Sequence, residues 1–352
     1  MTPDGFHLLD QDNRLRTSSY RICFLIPYYG ALPPYLDLFL QSCRKNEDYL
    51  FCFVTDLALP ADLPPNVRLM KLSLRELSRL ILAKTGVEPD IRAPYKLCDF
   101  KPAYGLIFED HIRTFSHWGH LDIDLILGNI SEFITSELLQ AYDIISARKE
   151  WISGAFTVYR NTAEICHLFQ HSPDWSTVLS DHRNFIFDEA SRLPRSDPLG
   201  VYQRLAKGQS IATLETEVVS FTHVVKHRQQ CNGLRAFFST FAKESIAKSM
   251  LLHYSPNGVA VQFPGKSDFK PGSEWLFYHF ITEKQKPYFR YPRWKKIPEE
   301  YWIDEYGFYN RRELLLRRTR AVRARAEQLL NRALDKFRRI AYSRMTDTFS
   351  QK

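Results

Sequence analysis

Apolar residues in this chain fall in short buried runs separated by stretches of helical period. Tyr20-Arg21-Ile22-Cys23-Phe24-Leu25-Ile26-Pro27 reads as a buried strand ending at Pro27-Tyr28-Tyr29-Gly30, and Tyr35 to Asn46 as a helix. Leu50 to Asp56 is a second strand and Val67 to Leu72 a third, followed by a helix from Leu74 to about Lys84 that Gly86 closes. The segment from Pro94 to Gly105 leads into a helix reaching about Ile112, Ser131 to Tyr142 is helical, and Asp143–Ala147 and Ile152–Asn161 are strands. Strands alternating with helices predict an α/β fold with a mostly parallel sheet. From Pro194 to about Lys248 no period is strong enough to place elements. Beyond it, Met250–Tyr254 and Val259–Phe263 form a hairpin, and Trp275–Phe280 a last core strand.

Ligands of such sheets bind outside the carboxyl ends of the strands. Three strand ends nominate one cleft: Pro27-Tyr28-Tyr29, Thr55-Asp56, and the run Trp118-Gly119-His120-Leu121-Asp122-Ile123-Asp124-Leu125-Ile126-Leu127-Gly128-Asn129. Ionised Asp is seldom buried without a partner, and the flanks of Asp122 and Asp124 are apolar. In an extended chain residues i and i+2 share a face, so this D-x-D pair can converge on Mg²⁺ or Mn²⁺. The same two residues would also suit a turn at a strand end.

Other charged positions carry two readings each. Lys96, Asp99 and Lys101 gather at a helix start, where cations suit a diphosphate and Asp99 a ribose hydroxyl or base; a capping Asp with two solvated lysines fits equally. Ser153 and Gly154 open a strand on small residues that permit close approach of a ligand, and Trp151 just before them suits a sugar ring or the core. Asp188-Glu189 follows an aromatic apolar run, and supplies either a general base and acceptor-orienting carboxylate or a helix N-terminus. His279 lies among aromatics, where a core histidine is the ordinary occupant.

Composition narrows the class. Over 352 residues, 44% are hydrophobic, which excludes a disordered chain. The six cysteines show no C-x-x-C pairing and read as buried free thiols, without disulfides or a zinc site. Residues 1–19 form a polar leader without an apolar stretch, and nowhere do 18 uncharged apolar residues run together, so the expectation is neither signal-peptide secretion nor a membrane span. The formal charge of +8 is not spread evenly: twelve Lys or Arg stand against three acids between Arg311 and Arg344. There, from about Glu313 to Ala341, Leu315, Val322, Ala326, Leu329, Leu330, Ala333, Phe337, Ile340 and Ala341 make one apolar stripe beside an arginine-rich face, the pattern of a helix lying on an anionic membrane. A helix packed back on the domain gives the same stripe.

Taken in order, the Pro-Tyr-Tyr strand end, the P-Y-K-x-C-D-F-K-P-A block, W-G-x-x-D-I-D-L-x-x-G-N, S-G-x-x-T-x-Y-R-N, F-D-E and the late Y-H-F resemble the GT-A class of nucleotide-sugar glycosyltransferases. The likeness is to a bacterial family long filed as a domain of unknown function, over roughly residues 20–290. The resemblance implies a GT-A fold, Rossmann-like, with a mostly parallel central sheet flanked by helices; the basic C-terminal helix read above is not explained by the family core. The domains would be a leader at 1–19, a catalytic domain at 20–292 and an extension at 293–352. It implies that Asp122 and Asp124 hold Mn²⁺ or Mg²⁺ on the donor diphosphate, that Asp99 and the first strand end hold the nucleoside, that His279 completes the metal shell, and that Asp188-Glu189 faces the acceptor. The function implied is metal-dependent transfer of a sugar from a nucleoside-diphosphate sugar to a saccharide or lipid-linked acceptor in surface polysaccharide synthesis, peripherally at the inner face of the cell membrane.

Two other classes compete. A sugar nucleotidyltransferase would carry a Gly-rich phosphate loop after the first strand, and Pro27-Tyr28-Tyr29-Gly30-Ala31-Leu32-Pro33-Pro34 is not one. A nucleic-acid-binding protein using the basic helix would leave two internal acid pairs unexplained, so no nucleic-acid partner is expected.

Overall fold

A computed structural model describes residues 21–194, 200–231, 233–247, 250–262, 274–317, 319–322 and 326. The chain divides into two compact units, Met1–Ala242 and Lys243–Lys352.

The first unit is built on a seven-stranded sheet. In chain order its strands are β1 Ile22–Pro27, β2 Tyr49–Thr55, β3 Val67–Lys71, β4 His117–Leu121, then, past a three-residue strand β5 Leu125–Leu127 outside this sheet, β6 Ile144–Ser146, β7 Phe156–Arg160 and β8 Ala236–Phe238. The spatial order is β3-β2-β1-β4-β7-β6-β8. β1 to β4 run parallel, β7 is antiparallel to both neighbours, and β6 pairs with β8 in parallel. This is the α/β arrangement with a mostly parallel central sheet and flanking helices that the alternation of elements predicts. β1 and β2 are buried along both faces, as strands covered on each side must be, and hence read as unbroken apolar runs.

Two of the expected helices form as single runs. α1, Leu36–Arg44, follows β1. α2, Leu74–Thr85, opens on a reciprocal box between Ser73 and Glu76 and closes at Gly86, whose φ of 74° is the left-handed geometry glycine adopts without a steric penalty. The helix expected at residues 131–142 is two short ones, Ile130–Phe133 and Ser136–Ala141, because Asn129 and Thr135 each cap a new start.

The core of this unit explains two glycines of the sequence blocks. Trp118 stacks on Tyr159 with centroids 4.2 Å apart, and a Cβ on Gly105 would meet the Trp118 ring at 2.5 Å, so glycine lets the helix Tyr104–Ile107 lie against that ring. On Gly119 a Cβ would stand 2.8 Å from the Phe24 ring and from the Thr157 carbonyl.

The second unit holds a five-stranded antiparallel sheet in the order Glu274–Trp275, Gly258–Gln262, Leu251–Ser255, Tyr301–Asp304, Gly307–Tyr309. The expected hairpin forms with Leu251 opposite Gln262 and Ser255 opposite Gly258; Phe263 lies outside the described residues. The expected last strand is two pieces, Glu274–Trp275 and Phe277–His279, and the hairpin Tyr301–Tyr309 comes after it. The boundary expected at residue 292 falls inside this sheet, since Leu252 pairs with Ile303 across it. Of the expected basic helix, only residues to 317, 319–322 and 326 are described. There Arg317 pairs with Asp304, and Arg320 donates to Glu313 at 3.0 Å and to the Phe308 carbonyl, so these two arginines tie the helix start to its own unit. Leu315 and Val322 of the apolar stripe are 86% and 67% exposed. Ala326 is exposed as well, and the rest of the stripe, the leader and the remaining arginines of that face lie outside the described residues. No helix among the described residues is long and apolar enough to cross a membrane.

Candidate active site

Strand order reverses at β1: the chain lays β2 and β3 on one side, then returns to place β4 on the other. In an open parallel sheet this reversal opens a crevice at the carboxyl ends of the two strands concerned. Pro27-Tyr28-Tyr29 follow β1, and Asp122-Ile123-Asp124 follow β4 directly.

The D-x-D pair is not inside a strand, as the apolar run suggests; it occupies the bend between Leu121 and Leu125, and the shared-face argument for i and i+2 does not apply. The Asp122 amide donates to the Ala155 carbonyl, which ties the bend to β7. The Asp124 carboxylate is buried, and that of Asp122 is partly open. Both belong to a set of side chains able to hold a metal ion. The hydroxyl of Tyr28 is pushed upward by burial and by the negative charge of Asp124.

Lys101 connects this pair to the second acid pair. Its ammonium, itself buried, lies 2.8 Å from Asp122 Oδ1, 2.7 Å from the Gly154 carbonyl and 3.5 Å from Asp188 Oδ2. Burial opposes its charge, but Asp122 and Asp188 outweigh burial and hold the lysine charged, above its ordinary range. Asp188 is buried, and burial raises its pKa well above the usual carboxylate range; Lys101 works against this, while the charge of Glu189 adds to it. Glu189 is held at both oxygens: Oε1 accepts the Gly154 amide at 2.8 Å, and Oε2 accepts a short hydrogen bond from the Tyr202 hydroxyl. The Lys101 ammonium therefore stands between Asp122 and Asp188, and each of these has a second acid close by in the sequence, Asp124 and Glu189. Hard oxygen donors with a local excess of negative charge are the donor set that suits Mn²⁺ or Mg²⁺.

The loop carrying the second pair is strained. Ile186 has φ 54° and Ser191 φ 59°, left-handed values that cost non-glycine residues about 1–3 kcal/mol each and are a genuine outlier for a β-branched side chain. Lys96 and Asp99 brace this loop. They lie on a 3₁₀ run, Pro94–Ala103, in which residues three apart eclipse. The Lys96 ammonium donates to Asp99 Oδ2 (2.8 Å) and to the carbonyls of Val178 (2.6 Å) and Arg183 (2.7 Å). Asp99 in turn accepts the amides of Phe185 at 2.9 Å and Phe187 at 2.8 Å, on either side of Ile186.

Several expected ligand residues are thus spoken for by the protein. Lys96 and Asp99, nominated for the diphosphate and nucleoside, are fully buried against each other and the loop, because an unpaired charge at that depth is unaffordable. Tyr29 is core, its hydroxyl donating to the Leu72 carbonyl. Thr55 is buried and its hydroxyl accepts the Leu57 amide, whereas Asp56 is exposed. Trp151 packs with Tyr202 at 4.8 Å in a small core with Leu193, Val201 and Leu205, so it is no free sugar platform. Ser153 accepts the Phe156 amide, and Gly154 serves through its backbone. His279 is buried in the second unit with Nδ1 3.7 Å from Glu244. Pro27 and Tyr28 remain partly open at the crevice.

Sequence reasoning missed Tyr202, which lies on the helix Gly200–Ala206 in the stretch without period, and Arg148, whose guanidinium sits 4.9 Å over Trp151. It also missed Tyr95, 70% exposed at the start of the 3₁₀ run, although P-Y-K was in view. Of the six free cysteines four are buried, Cys98 is half-buried and Cys231 is exposed.

A family model described as "Family of unknown function (DUF6625)" matches residues 24–312. The chain belongs to that family. The match spans every block of the site in this DUF6625 protein and stops before most of the basic tail. No curated protein matches the chain. Among solved structures, the crystal structure of mouse Xyloside xylosyltransferase 1, apo form, is similar at 11% identity and a TM-score of 0.37, covering 74% of this chain and 97% of that one. At that distance the likeness assigns no activity.

Proposed function

We propose that this protein is a divalent-cation-dependent glycosyltransferase of the GT-A class, which moves a sugar from a nucleoside-diphosphate sugar to a saccharide or lipid-linked acceptor. The observation that carries the reading is the linkage of two acid pairs through Lys101, the first of them lying at the carboxyl ends of β1 and β4 where the strand order reverses. Asp122 and Asp124, with His279 as a third ligand, are the residues that would hold Mn²⁺ or Mg²⁺. Bound there, the cation supplies Lewis-acid neutralisation of charge on the leaving diphosphate.

The chain's own groups divide the remaining work. Lys101 pairs with Asp122 and stands between it and Asp188. Asp188, with its raised pKa, is suited to take the proton of an acceptor hydroxyl in an inverting transfer, while Glu189, held at both oxygens, sets the loop. Pro27 and Tyr28 at the end of β1, together with Asp56, line the nucleoside side.

The deciding experiment is a panel of nucleotide sugars incubated with the protein in Mn²⁺ or EDTA, with release of nucleoside diphosphate as the readout. Cation-dependent release from one donor is expected. Release of pyrophosphate from a nucleoside triphosphate and a sugar phosphate would make the protein a nucleotidyltransferase instead.

We further propose that the basic tail rests on the anionic inner face of a cell membrane, so that the enzyme meets a lipid-linked acceptor of surface polysaccharide synthesis. Exposed Leu315 and Val322 support an unpartnered apolar stripe; Arg317 and Arg320, tied to their own unit, are withdrawn from lipid contact. Flotation with anionic and neutral vesicles, full length against a chain ending at Val322, which keeps the strands Tyr301–Asp304 and Gly307–Tyr309, tests this: salt-sensitive binding lost on truncation supports it, and equal partitioning removes it.

A further inference from the structure

We infer that Lys96 and Asp99 form a buried latch whose task is to hold the Asp188–Glu189 loop in its left-handed geometry, making both of them positioning residues for the acid pair rather than ligands of the donor. The inference rests on the glycosyltransferase reading only for what the acid pair does, and not for the latch itself.

The geometry is closed on every side. All three protons of the Lys96 ammonium have acceptors: Asp99, the Val178 carbonyl at the end of one helix, and the Arg183 carbonyl at the loop's entry. Both oxygens of Asp99 are occupied in turn by Lys96 and by the amides of Phe185 and Phe187. In an extended chain the amides of residues i and i+2 share a side but stand about 7 Å apart; with Ile186 at φ 54° those of Phe185 and Phe187 converge on one carboxylate. A branched side chain avoids that backbone conformation, so the anion must stabilise what the local sequence resists. The Lys96 ammonium, 2.8 Å from Asp99, offsets the cost of burying that carboxylate. Downstream, the loop is fastened by hydrogen bonds from Phe221 to the Phe187 carbonyl and from Thr222 to the Glu189 carbonyl, with Ser191 the second left-handed residue. The acids therefore sit between an anion-held bend and a backbone-held one, and the anion-held bend is the end a single charge controls.

The test uses the full chain and hydrogen exchange read by mass spectrometry at two segments, residues 184–191 and, as a control, 22–27 of β1. Asp99→Asn keeps the shape of the side chain and removes its charge; Lys96→Met removes the partner and serves where Asp99→Asn does not fold. Either is expected to speed exchange in 184–191 at least tenfold with 22–27 unchanged. Binding of UDP with Mn²⁺ should stay within twofold, and release of nucleoside diphosphate from the donor found in the panel should fall at least tenfold. Adding Ile186→Asn to Asp99→Asn, a residue at home in the left-handed region, should recover at least threefold in both exchange and turnover. A core ion pair without a positioning role would open 22–27 along with 184–191, and the second substitution would rescue nothing; either result, or exchange in 184–191 within twofold of the unchanged chain, overturns the inference. If the unchanged chain releases no nucleotide from any donor, it is the glycosyltransferase reading that falls, and the exchange data still decide the latch.

Discussion

A Cβ placed on Gly154 would stand 2.5 Å from Asp188 Oδ2, closer than any carbon can approach an oxygen without one of them moving. Gly154 also gives its amide to Glu189 and its carbonyl to Lys101, so this one backbone unit touches three charged side chains of the site.

Gly154→Ala is therefore expected to displace Asp188 and loosen Glu189 together. Transfer should fall by at least a hundredfold, while UDP and Mn²⁺ still bind, because the D-x-D bend lies on the other side of Lys101. Kinetics beside nucleotide titration would show it. A variant with unchanged turnover would mean that the close approach of Asp188 is irrelevant to the chemistry.

Asp124→Ala should abolish Mn²⁺-dependent binding of nucleoside diphosphate and leave the fold intact, since it removes a hard oxygen ligand from a bend. Calorimetric titration of Mn²⁺ with UDP, together with a thermal melt, checks both halves. His279→Ala should weaken the same binding to a lesser degree. If it lowers only the melting temperature, His279 serves its own unit's core.

Asp188 acts as a base only when it has lost its proton, and burial raises the pH at which that happens. Activity should therefore fall as pH drops through a midpoint above the ordinary Asp value of about 3.9. Lys101 pulls that midpoint down, so Lys101→Met should move the acid limb of the pH profile to still higher pH. The stability effect has a definite sign too: a carboxyl with a raised folded pKa favours the fold below its unfolded pKa, and that contribution disappears as pH rises through the folded value. Asp188→Asn should flatten this loss.

His117, buried at the start of β4, donates from Nε2 to the Leu139 carbonyl and accepts at Nδ1 from Ser116. Burial, with Arg160 nearby, lowers its pKa from 6.5 to about 4. The folded state keeps the ring neutral where the unfolded chain would take up a proton, so stability is present above the unfolded pKa and is lost as pH falls from 6.5 toward 4. At about 1.4 kcal/mol per unit the full span is roughly 3 kcal/mol. Urea melts at pH 7 and pH 4 should show that loss, and His117→Gln should remove most of it while costing some stability at neutral pH.

The sequence by itself determined which stretches are strands of a covered sheet, where α2 begins and ends, and that acids cluster at strand ends. These are local matters of period, capping and composition: Phe51-Cys52-Phe53-Val54 is unbroken because both faces are buried, and Gly86 ends α2 because the next residue must turn left-handed. Which charged residues face a ligand and which serve the chain was decided only by tertiary structure. Lys96, Asp99 and Lys101 stand within six positions of one another in the sequence and look alike there. The 3₁₀ run turns Lys96 and Asp99 toward Val178 and the loop at Phe185–Phe187, and Lys101 toward Asp122 and Asp188. Tyr202 reaches Glu189 from thirteen residues further on through a stretch without period. Partners this distant leave no mark on local spacing, because the cost of burying a charge is met by whichever group the fold brings beside it.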